Sequence, residues 1–199
     1  MPGTSKRLLV AGIALALLAL AGATAAAQPA PPALAAPVLL TSCGQSPGPV
    51  RIQVFLKKLG IAHEYKAEAT AADLAGGKFK SLIIVTGASL KGMGAAGVSI
   101  DDELARPAKL IAEAQKQKIT IVGSHVEGMD RRAKGAAPGD NSDELSIDAV
   151  CPKSQVMVVR KDGDEDARFT TIAKKQNIPI LLFEKNTEIA DVLKKLYGK

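Results

Sequence analysis

Ile61-Ala62-His63-Glu64-Tyr65-Lys66-Ala67 alternates: Ile61, His63 and Tyr65 point one way, Ala62, Glu64 and Lys66 the other. A half-polar alternation suits a strand with water on one side, not a strand buried on both faces. Five other runs read differently. Val38–Thr41, Leu82–Thr86, Ile119–Gly123, Val156–Arg160 and Ile180–Phe183 are short, β-branched or Leu-rich, and bounded by Gly, Pro or polar turns. That pattern predicts strands covered on both faces. Helical periods lie between them. Ile52, Phe55, Leu56 and Leu59 recur at i, i+3, i+4 and i+7, with Pro47 and Pro49 at the start and Gly60 as C-cap. A second helix runs through Leu104, Ala108 and Ile111. Ser99 and Asp102 offer it a capping box, and Pro107 predicts a kink or a later start. Phe169, Ile172 and Ala173 mark a third helix, and Ile189, Val192, Leu193 and Leu196 a fourth.

This β–α–β alternation predicts a single three-layer α/β domain over residues 37–199, with a doubly wound, mostly parallel sheet of five to six strands. Ile61–Ala67 then selects the strand order. A Rossmann order would bury it inside the sheet. The flavodoxin-like order 2-1-3-4-5, extended by a sixth strand, leaves it at an edge, and is the order expected here.

Composition narrows the class. With 47% hydrophobic residues, the 199-residue chain is not a disordered segment. Two cysteines are too few for a disulfide-built scaffold. No Trp, four Phe and two Tyr give a poor base-stacking platform, so nucleic acid is not an expected partner. The first 27 residues read as a secretory signal peptide: Lys6 and Arg7, then an apolar run Leu8–Leu20, then small residues with Ala-x-Ala patterns up to Ala27. The apolar run is short of the ~20 residues a membrane span needs. Export to the periplasm or medium is therefore expected, with membrane contact only through the uncleaved leader. Residues 28–36 read as an Ala/Pro-rich tether. Leu40-Thr41-Ser42-Cys43 has the look of a lipobox, but it stands far beyond the apolar run and serves better as strand. Of the 26 basic residues, Lys6 and Arg7 fall in the leader, leaving 24 against 20 acidic ones, a net of +4. That mild excess, with both signs interspersed, favours small anions rather than nucleic acid.

In an open parallel sheet, ligands bind beyond the carboxyl ends of the strands, where the strand order reverses. Here that is the gap between the first and third strands, which predicts a rim from Thr41–Gly48, Gly87–Gly97 and Gly123–Asp130. Ser42, Cys43, Gly44, Gln45 and Ser46 precede a helix N-terminus suited to an anionic or polar group; the plainer reading is a turn with Ser46 as N-cap. Ser89, Lys91 and Gly92 sit on a Gly-rich, mobile loop, where Lys91 either balances a ligand anion or is simply solvated. Gly92-Met93-Gly94-Ala95-Ala96-Gly97 spells G-x-G-x-x-G but neither follows its strand directly nor opens the helix, so no dinucleotide cofactor is expected. His125, with Glu127 nearby, is too small a set for a metal. Arg131 and Arg132 either face solvent or close on a carboxylate or phosphate.

Cys43 has three readings: a small buried residue, a nucleophile with a lowered pKa at a helix N-terminus, alone or with His125, or half of a bridge to Cys151. Its layout is similar to low-molecular-weight tyrosine phosphatases, but Arg51 is too far along for one tight phosphate loop. The bridge is disfavoured by placing Cys151 ahead of its strand, at the amino side of the sheet. Asp162-Gly163-Asp164-Glu165-Asp166 lacks calcium-loop spacing and is explained by the start of the following helix.

Three stretches carry a resemblance: Pro37–Pro47 with its LLTSCGQSP run, Leu82–Gly97, and Asp101–Leu104. With His125, Arg131–Arg132, Ile147–Ala149 and Val159–Gly163, the chain resembles an exported bacterial family classified only as a domain of unknown function. The resemblance implies one exported α/β domain and no assigned activity. Cys151 and the Gly/Pro insertion around Lys134–Gly139 depart from that family's pattern. The leading expectation is a binding module for a small polar or anionic ligand. A partner-binding or structural domain is second, and a thiol enzyme using Cys43 third.

Overall fold

The computed structural model describes residues 28–132 and 141–199. The leader and the insertion around Lys134–Gly139 lie outside these residues. Six strands form one parallel sheet in the order β2-β1-β3-β4-β5-β6: β1 Val38–Cys43, β2 His63–Tyr65, β3 Ser81–Thr86, β4 Thr120–His125, β5 Val156–Arg160 and β6 Ile180–Phe183. This is the expected flavodoxin-like order. β2 holds the edge, pairing only with β1, from Val38 opposite His63 to Leu40 opposite Tyr65, and its Glu64 is exposed.

Among the described residues six α-helices cover the sheet: α1 Gly48–Lys58, α2 Leu90–Ala96, α3 Ile100–Lys116, α4 Ser142–Val150, α5 Arg168–Gln176 and α6 Ile189–Tyr197. Alternation along each strand divides the core. Val38, Leu40, Ile83, Val85, Val122, Val156 and Val158 pack against Ile52 and Leu56 of α1 and Ile189, Leu193 and Leu196 of α6. On the other face, Leu39, Leu82, Ile84 and Ile121 meet Leu110, Ile111 and Ala114 of α3. Met157 and Val159 meet Ile147 of α4 and Phe169 and Ala173 of α5.

Three expectations change. The Gly87–Val98 stretch is not a loop: Ser89 Oγ caps α2 by accepting Gly92 N–H at 3.0 Å, and Gly97, at φ +70°, closes it. Its glycines hid a helix because they lower intrinsic propensity, yet Gly92 is needed, since a Cβ there would lie 2.2 Å from Gln45 O. Strands β1 and β4 run on through Ser42–Cys43 and Ser124–His125, because their polar side chains find partners inside the fold. Finally, α3 begins at Ile100 on the predicted Ser99/Asp102 capping box and continues past Pro107. Pro107 has no N–H to give the carbonyl four residues back, that of Glu103. The Cys43 thiol donates to that same carbonyl at 3.7 Å.

Candidate functional site

The loop after β1 is organised from beneath by Glu103. This side chain is 1% exposed and accepts Gly44 N–H at 3.4 Å, the Gln45 side-chain amide, and Arg106 Nη2 at 2.7 Å. Arg106 also donates to Ala69 O at 2.8 Å and Ser42 O at 2.7 Å. A protein carboxylate thus occupies donors that the sequence reading offered to a ligand anion. The first turn of α1 is likewise internally satisfied: Gly48 N–H reaches Ser46 Oγ at 3.3 Å, Val50 N–H reaches Pro47 O at 3.2 Å, and Pro49 has no N–H. After β3, Gly87 N–H bonds Ser146 Oγ at 3.0 Å and Ala88 N–H bonds Asp143 Oδ1 at 2.5 Å.

The other sequence-selected residues have definite places. Ser42 is buried and donates to Ala67 O at 3.3 Å. Lys91 is exposed on α2. Cys43 is buried at the last position of β1, and burial, followed by the charge of Glu103, pushes its pKa up to about 12. A thiol so placed stays protonated at neutral pH, the opposite of an activated nucleophile. His125 is buried in β4, where Nε2 donates to Gly128 O at 3.1 Å and Nδ1 faces the Thr86 hydroxyl at 3.3 Å. Its ring stacks 5.2 Å from that of Phe169. Burial holds its pKa below the usual value. Cys43 and His125 are not partners: Cys43 pairs with Thr86 in β3, and His125 belongs to the next strand over, about 10 Å from Cys43 at two strand spacings.

Cys151 is displaced from its expected position. It sits over the middle of β4 rather than at the amino edge, since a Cβ on Gly123 would lie 3.3 Å from the Cys151 Cα. Both cysteines are free thiols. The acidic run is spent on structure. Asp164 caps α5 through Phe169 N–H at 2.7 Å, Asp162 pairs with Arg160 at 2.9 Å, and Asp166 pairs with Arg132 at 2.6 Å. Arg132 is buried, also holds Glu144 at 2.8 Å and the Gly163 carbonyl, and lies over the Phe169 ring. Asp166 is held below the usual carboxylate range: burial acts against that shift, and its bond to Arg132 leads the groups that outweigh burial.

What the fold does bring together is a set of arginines around the turn after β4. Arg51 of α1 donates Nη1 to Val126 O at 3.2 Å. Arg160, at the end of β5, donates Nη1 to Glu127 O at 3.4 Å. Arg131 donates to Ala88 O at 3.0 Å and to Glu127 Oε1 at 3.3 Å. All three are partly exposed. Two carboxylates, Glu127 and Asp162, stand among them, and Arg51 has no acidic partner among the described residues. A cleft of about 320 Å³ opens beside this turn, lined by Arg160, Lys161, Asp162, Glu165 and Glu184. A second, of about 450 Å³, is lined by Met129, Arg132, Glu144, Glu165 and Asp166. Arg131 was legible as a basic residue near the rim. Arg51 and Arg160 lie on separate elements and carry no local signal of convergence. Among the described residues, no helix is long and apolar enough to cross a membrane.

Comparison with solved structures finds the SGNH-hydrolase family esterase AlinE4, at 13% identity and a TM-score of 0.31, over 72% of this chain and 73% of that one. It also finds the psychrotrophic esterase EstA from Pseudoalteromonas sp., at 9% identity and a TM-score of 0.32, over 78% and 93%. Superpositions this loose support no inference about chemistry. No curated protein matches. The family that matches, over residues 35–197, is described as a domain of unknown function, and to that family, DUF6305, this chain belongs.

Proposed function

We propose that this protein is an exported binding module for a small anionic ligand, held at the carboxyl rim of the sheet by Arg51, Arg131 and Arg160. The observation that carries the reading is the convergence of three part-exposed guanidiniums, from three separate elements, on the turn Val126–Gly128. Planar guanidiniums bind carboxylate and phosphate through paired N–H groups. Each of these three uses only one or two of its donors, and on backbone carbonyls or one carboxylate. Compared with an anion on the loop after β1, this reading moves the ligand two strands along the sheet, to the turn after β4, where each guanidinium keeps donors to spare.

Thermal shift against phosphate and small carboxylates tests it. A ligand at a hundred times its Kd stabilises by about 2.7 kcal/mol, and the Arg51→Ala/Arg160→Ala double variant should lose that response. A midpoint unmoved by every anion, or an undiminished response in the double variant, refutes it. Export is tested separately by N-terminal sequencing of protein recovered outside the cytoplasm. A chain beginning close to Gln28 is expected, and an intact Met1 on cytoplasmic protein contradicts it.

A further inference from the structure

Two buried carboxylate oxygens of the arginine rim have no donor among the described residues: Asp162 Oδ1, packed against Gly128, and Glu127 Oε2, which lies among the loops themselves. Glu127 is buried, its side chain 5% exposed. Its Oε1 takes only the long bond from Arg131, and its Oε2 is buried with no hydrogen-bond partner among the described residues. A carboxylate oxygen withdrawn from water without a donor is costly, so such a group points to something it is built to receive. Its setting shows from which side. A Cβ placed on Gly87 would lie 3.4 Å from Glu127 Oε2, 3.2 Å from Ser46 Oγ and 2.8 Å from Arg131 Cγ. Oε2 therefore lies at the junction of the three loops, beneath the Arg131 side chain, which is 28% exposed. Two hydrogen bonds, to Ala88 O and Glu127, hold that cover in place.

Resting on the anion-binding reading above, we infer that the ligand is an acid bearing a hydrogen-bond donor on the adjacent carbon, an α-hydroxy or α-amino acid, whose donor is received by Glu127 Oε2. The acid group takes the guanidinium of Arg131 and draws it off Glu127. With the guanidinium moved from Oε1 the carboxylate is uncovered, and the donor reaches the unpartnered Oε2. An acid lacking the donor would strip Glu127 of its cation and set two negative groups side by side, so the site selects against it.

The test compares three probes of similar size on the wild-type protein: propionate, lactate and alanine. Dissociation constants are measured by NMR titration at one pH and ionic strength. Lactate or alanine should bind about tenfold or more tightly than propionate, the fold-change of one hydrogen bond to a charged group. Tighter lactate marks a hydroxyl ligand, tighter alanine an ammonium. In Glu127→Gln the preference over propionate should fall below about threefold. The wild-type comparison stands even if that variant folds poorly. If all three acids bind within about threefold of one another on the wild type, the selectivity inference is wrong and the anion site remains. If none binds while inorganic phosphate does, Glu127 does not receive an α-donor. If no anion binds at all, the underlying reading has failed.

Discussion

Replacing Glu103 with Ala removes the acceptor on which the loop after β1 is built. The side chain is 1% exposed and its charge is matched by Arg106, which is 14% exposed. The variant leaves three donors behind: Gly44 N–H, the Gln45 amide, and the Nη2 of Arg106. Removing one member of a buried ion pair costs about 3–5 kcal/mol. Arg106 retains Ala69 O and Ser42 O and has some access to water, so the lower part of that range applies, about 3–4 kcal/mol. For a domain of this size that is a fall of about 6–16 °C in Tm. Urea unfolding followed by circular dichroism at neutral pH measures it, with an unchanged slope showing that stability and not the unfolded state has altered. The exposed pair Lys78–Glu64, with side chains 60% and 48% accessible, serves as the control: Lys78→Ala should leave the midpoint almost where it was. A Glu103→Ala loss below about 1 kcal/mol would refute the reasoning, because it would mean that the pair's desolvation cost cancels its bonding.

Three further outcomes follow from the same structure. Gly92→Ala should destabilise by about 1–3 kcal/mol as its Cβ is driven against Gln45 O. Gly94→Ala on the same helix meets nothing within 4 Å and should stabilise by about 0.5–1 kcal/mol; equal effects in urea melts would show the contact is not there. His125 is kept neutral by burial, with Arg132 pressing the same way and Gly128 O, Glu127 and Thr86 opposing. The unfolded chain therefore takes up a proton near pH 6.5 that the folded one refuses, so stability should fall as pH drops below about 6.5, by up to about 1.4 kcal/mol per pH unit. Unfolding midpoints from pH 7.5 to 5 should show that slope in the wild type and lose it in His125→Gln, well above the range where Asp166 titrates. Cys43, with its pKa near 12, should react with iodoacetamide at pH 7.5 about a hundredfold more slowly in the native protein than in the unfolded one; comparable rates would restore the nucleophile reading.

The sheet was legible because its signals are local. The alternation of Ile61–Ala67 names an edge, and unbroken apolar runs such as Leu82–Thr86 name covered strands, whatever the rest of the chain does. Local signals misled where a tertiary partner overrides propensity. Ser42, Ser124 and His125 look like loop residues until their side-chain bonds within the fold are seen. The glycines of Leu90–Ala96 look like a loop until Gly92 is found against Gln45.

The site divides in the same way. Sequence alone determined the parallel sheet and its strand order, and with them the rim where a ligand was expected, because the hydrophobic period depends only on neighbouring residues. Which donors remain available there was decided by the tertiary structure. Glu103 lies about sixty positions from the loop it satisfies, and Arg51, Arg131 and Arg160 meet only once α1, β4 and β5 are stacked. A hydrogen bond is a relation between two groups in space, and no spacing along the chain records it.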